Sequence, residues 1–83
     1  PLSAFTIYPN PAATVFTING TGATDRIQYV IYNILGREVM TGMIKTTGGS
    51  FNETIQVSDF PKSMYFIKLS DQKNTWTRKL NLE

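Results

Sequence analysis

Apolar and polar residues alternate along this chain in short runs, each closed by Gly, Pro, Asn or Asp, and no stretch carries the spacing of an amphipathic helix. A period of two puts successive side chains on opposite faces of an extended backbone, so such runs are expected to fold as strands with one face buried. Seven runs fit this pattern: Ala4 to Tyr8, Thr14 to Asn19, Arg26 to Ile34, Glu38 to Lys45, Ser50 to Val57, Met64 to Ser70 and Asn74 to Leu82. The expected fold is all-β, a small antiparallel β-sandwich of about seven strands, of the immunoglobulin or fibronectin kind.

The faces follow from the same period. Phe16 and Ile18 share one side of the second strand and should be core. The third strand is apolar on both faces, with Ile27, Tyr29 and Ile31 alternating with Val30, Tyr32 and Ile34, as suits a central strand. In the last strand Trp76, Arg78, Leu80 and Leu82 share one face, and Thr75, Thr77, Lys79 and Asn81 the other, which should meet solvent. Asn33-Ile34-Leu35-Gly36 has Asn and Gly where a type I turn followed by a left-handed residue wants them, so a hairpin is expected with Gly36 as its bulge.

With 83 residues the chain makes one domain, burying only about 60 to 65% of the surface its unfolded form exposes. It has no Cys and no His, which removes the Ser-His base pair, the thiolate nucleophile and the histidine metal site. Asp25, Glu38, Glu53, Asp59 and Asp71 fall on separate turns and strands. Neither catalysis nor a metal or other cofactor is expected. A net charge of +2 on scattered Lys and Arg gives no phosphate-binding stripe, so no nucleic-acid partner is expected. No apolar run approaches the roughly 20 residues that span a bilayer, so no membrane insertion of its own is expected.

Asn19-Gly20-Thr21 and Asn52-Glu53-Thr54 match the glycosylation acceptor pattern, a match that chance explains better. Tyr29, Tyr32, Tyr65 and Trp76 are read as packing groups rather than a platform for sugar rings. Without an initiator Met, the chain reads as a fragment of a longer polypeptide, and Leu82-Glu83 resembles a vector-derived scar.

Four motifs occur in order: YPNPA (Tyr8 to Ala12), VIYNILGREV (Val30 to Val39), VSDFPKSMYFIKL (Val57 to Leu69) and TRKLNL (Thr77 to Leu82). Together they closely resemble the C-terminal sorting domain of the type IX (Por) secretion system, type A, over Ile7 to Leu80. The resemblance implies the last domain of a larger secreted cargo protein of a Gram-negative bacterium. Such a domain directs its cargo from the periplasm through an outer-membrane translocon. A sortase-like protease commonly removes it, leaving the cargo anchored at the cell surface or released. The competing reading is a fibronectin-like spacer or carbohydrate-binding module of a secreted glycosidase or adhesin. One departure stands out: the family's Leu-Pro-x-Gly appears as Phe60-Pro61-Lys62-Ser63, so Ser63 either takes a positive φ or the loop differs.

The candidate recognition residues are Tyr8, Pro9, Asn10, Pro11, Gly36, Arg78 and Lys79. Pro9 and Pro11 lack backbone donors and stiffen the chain after the first strand. They are expected to let the first strand leave one sheet and the next begin in another, and they serve equally well as an ordinary proline turn. Arg78 and Lys79 place two cations on the last strand, where Lys79 either meets a partner that adds a strand or keeps an exposed edge soluble.

Overall fold

A computed structural model describes residues 4–10, 12–22, 26–71 and 74–83. Seven strands follow one another: β1 (Ala4–Tyr8), β2 (Val15–Thr21), β3 (Ile27–Tyr32), β4 (Glu38–Ile44), β5 (Phe51–Gln56), β6 (Met64–Ser70) and β7 (Thr75–Asn81). They form a three-stranded sheet, β1-β2-β5, and a four-stranded sheet, β4-β3-β6-β7, antiparallel throughout. The molecule is a small all-β sandwich.

Between the sheets lie Phe16, Ile18, Ile27, Ile31, Ile44, Ile67, Leu69 and Leu80, none of which retains measurable exposure. Phe16 and Ile18 are buried as the alternation requires, and β3 is interior to its sheet with Val30 buried on the outer face. Trp76 is half-buried against the core and Lys79 is exposed. Leu82 is buried too, and its N–H donates to the Ser63 carbonyl at 2.9 Å.

One expectation fails. β1 and β2 do not lie in different sheets but pair with each other, Ile7 opposite Ile18. The chain between them only visits the other sheet, through a single parallel bridge from Ala12 to Leu82, and then returns. Apolar alternation explains the return: Phe5 and Ile7 can pack against the core only from the sheet that already holds Phe16 and Ile18.

The hairpin between β3 and β4 forms as its turn residues dictate. The Gly36 N–H donates to the Asn33 carbonyl at 2.9 Å, and Gly36 takes φ +83°. Asn33 Oδ1 accepts the N–H groups of Leu35 and Arg37 at 2.9 and 3.0 Å, an Asx arrangement that fixes the loop. Among the described residues only glycines have positive φ, so Ser63 meets its unusual position through a changed loop.

Candidate functional site: one pole of the sandwich

Odd-numbered strands all run toward one end of the sandwich and even-numbered strands leave it, as the antiparallel registers require. The loops at 9–14, 33–37 and 57–63 and the end of β7 therefore share one pole. Those are the segments that carry the four motifs. β1 begins at the opposite pole, where Ala4 pairs with Thr21.

Backbone and side-chain bonds brace this pole. The carboxamide of Asn10 donates to the Lys79 carbonyl at 3.1 Å and accepts the Asn81 N–H at 3.0 Å. The Ala12 N–H donates to the Asn81 carbonyl, and the Glu83 N–H to the Ala12 carbonyl, both at 2.8 Å. Lys62 Nζ reaches the Ala13 carbonyl at 2.9 Å and the Val57 N–H the Thr14 carbonyl at 2.7 Å, tying the third motif to the two residues that follow the first. The buried Tyr65 donates its hydroxyl to the Pro61 carbonyl at 2.7 Å and lies beside Phe60, ring centroids 5.7 Å apart. That bond from a strand's opening tyrosine back to the preceding loop is a device immunoglobulin-type sandwiches use to fix a corner.

β7 is one of the two outer strands of its sheet, and β1 one of the two of the other. The Arg78 guanidinium lies 4.6 Å from the centre of the Phe5 ring, closing the gap between these two edges by a cation–π contact. A cleft of about 200 Å³ remains there, lined by Phe5, Thr6, Ile7, Asn10, Arg78 and Lys79.

The candidate residues thus divide. Asn10, Arg78 and Lys79 meet at the β1–β7 edge, and Tyr8 and Pro9 lead into it, Tyr8 48% exposed. Pro11 lies outside the described residues. Gly36 sits at the same pole, but β6 stands between β3 and β7, so roughly 10 Å of sheet separates its hairpin from the edge. Sequence reasoning passed over its neighbours: Ile34 and Leu35 at the hairpin tip are 66% and 79% exposed. The signal was visible, since two large aliphatic residues stand in the middle of a turn where polar ones are the rule.

Among the other aromatics Tyr29 and Tyr65 are buried, and Tyr32 is half-buried with Lys68 Nζ 5.5 Å from its ring centre. Burial, and secondarily the Glu53 carboxylate, pushes the Tyr29 phenol above its ordinary value.

The distinctive segments of this small sandwich are thus gathered and braced at one end. The model of the family described as Secretion system C-terminal sorting domain matches residues 6–83, and the chain belongs to that family. No curated protein matches it. The domain is the C-terminal sorting signal of a larger cargo protein, and it directs export by type IX secretion to the cell surface or beyond.

Proposed function

We propose that the motif-bearing pole is the face the secretion machinery reads, and that the cargo, joined through β1, trails from the opposite pole. In this reading the cargo crosses the periplasm, the outer-membrane translocon receives the pole, and a sortase-like protease then separates the domain from its cargo. The domain itself catalyses nothing. The observation that carries the reading is the convergence of four separated motif segments at one braced end, capped by the exposed Ile34 and Leu35. Large aliphatic side chains held in water are a cost that contact with a partner would repay.

The test is a fusion of a signal peptide, a fluorescent protein and residues 1–82 in a host that has this secretion system. The parental fusion should reach the medium or surface. A fusion with Ile34→Ser and Leu35→Ser should unfold at the same temperature and remain periplasmic. A parental fusion retained like the unfused reporter would overturn the export role, and normal export of the double variant would remove the tip from the recognised face.

A further inference from the structure

Of the two cations on β7, each lies on a different face, because Arg78 and Lys79 are consecutive residues of a strand. Arg78 points toward the inner side, over Phe5, and Lys79 outward from the sheet. Among the described residues neither has a carboxylate partner, and no carboxylate lines the cleft between them. The guanidinium spends one donor on the Thr77 carbonyl at 3.2 Å and its flat face on the ring, and its other donors have no partner among the described residues in a side chain that lines the cleft.

The backbone of the same strand is divided. Leu82 donates to the β6 side, so even-numbered residues of β7 face β6 and odd-numbered ones face away from it. The Lys79 carbonyl and both outward groups of Asn81 are held by Asn10 and Ala12. At the exposed Thr75 and Thr77 the Arg78 guanidinium holds the Thr77 carbonyl, and the other outward groups have no partner among the described residues. A short length of sheet edge is therefore open immediately beside two cations.

We propose that this edge and cleft bind an extended segment of a partner protein that carries two consecutive acidic residues. The segment adds as a strand along Thr75 to Thr77. A residue beside Arg78 shares its face and enters the cleft above Phe5 and Ile7; its neighbour in sequence points to the other face, toward Lys79. Consecutive carboxylates match consecutive cations, and an isolated acid meets only one. The charge of the cleft selects this occupant over a basic or purely apolar strand. This inference rests on the reading of the domain as a signal that a partner recognises.

The test titrates the isotope-labelled domain with an acetylated, amidated hexapeptide, Thr-Val-Asp-Glu-Val-Thr, and with the same peptide carrying Lys-Lys in place of Asp-Glu. The acidic peptide should shift the amides of Thr75 to Lys79 and Phe5 to Ile7 saturably, and the basic one should not. Arg78→Gln should weaken binding by about tenfold, the value of one charge-assisted contact. Equal shifts from both peptides, or undiminished binding to Arg78→Gln, would overturn the proposal. So would shifts at this edge that grow with protein concentration alone, which would make a second copy of the domain the occupant. Failure here beside normal export of the parental fusion would discard the acidic partner and leave the export role standing; failure of export would count against the reading beneath it.

Discussion

The Asn10 carboxamide accepts the Asn81 N–H at 3.0 Å, across 71 positions of sequence, and so holds the loop after the first strand against the edge of the last. With its other end on the Lys79 carbonyl, one side chain satisfies two outward backbone groups of an edge strand. Such groups invite pairing with other chains when left open. The asparagine between the prolines thus guards the lower half of β7, and the YPNP segment has a structural duty at the motif pole.

Replacing Asn10 by Ala should lower stability by about 1 to 2 kcal/mol, since two hydrogen bonds of modest net worth disappear together. Urea unfolding measures the loss. Size-exclusion chromatography should also show more self-association than in the parent, because the edge is freed.

Gly36→Val should destabilise the hairpin by about 1 kcal/mol or more, because a β-branched residue is strained at the φ of +83° that this position holds. A Cβ there meets nothing within 4 Å, so the loss comes from backbone strain rather than crowding. Thermal unfolding should separate this variant from Gly36→Asn, which tolerates the left-handed region and should lie close to the parent.

Tyr29 makes stability depend on alkaline pH. Its folded-state pKa is raised, first by burial and then by Glu53, so the phenol binds its proton more tightly folded than unfolded. The corresponding stability is complete below the ordinary tyrosine value of about 10 and is lost as pH rises through the folded-state value. Melting temperatures across that range should fall more steeply for the parent than for Tyr29→Phe.

Lys79→Glu should change stability by no more than about 0.5 kcal/mol, as for other exposed positions. Export of the fusion should nevertheless fall, because the variant sets a negative charge where an acidic partner segment is expected. Unfolding and secretion assays on one preparation distinguish a recognised lysine from one that only keeps the edge soluble.

Period-two alternation was enough to find all seven strands, the core positions Phe16 and Ile18 and the interior place of β3, because burial of one face acts on each residue locally. Asn33 and Gly36 announced their hairpin for the same reason. The sheet assignment of β1 was not legible, since the prolines after Tyr8 read as a change of sheet whereas the pairing is decided by where Phe5 and Ile7 find the core, beside Ile18 of the next strand. The tie from Asn10 to β7 was equally hidden: a carboxamide flanked by prolines reads as turn chemistry until the sandwich brings Asn81 beside it. At the candidate site, the motifs were visible but their shared pole was not, because it arises from strand direction summed over the whole chain.

Closing the first strand onto the last has a consequence for timing during synthesis. Until residues 79 to 83 exist, Asn10 and Ala12 have nothing to hold, and the core lacks the buried side chains of Leu80 and Leu82. A chain broken off within β7 leaves the sandwich unsealed along one whole side. The finished shape therefore forms only after the last strand has left the ribosome, however early the other six were made.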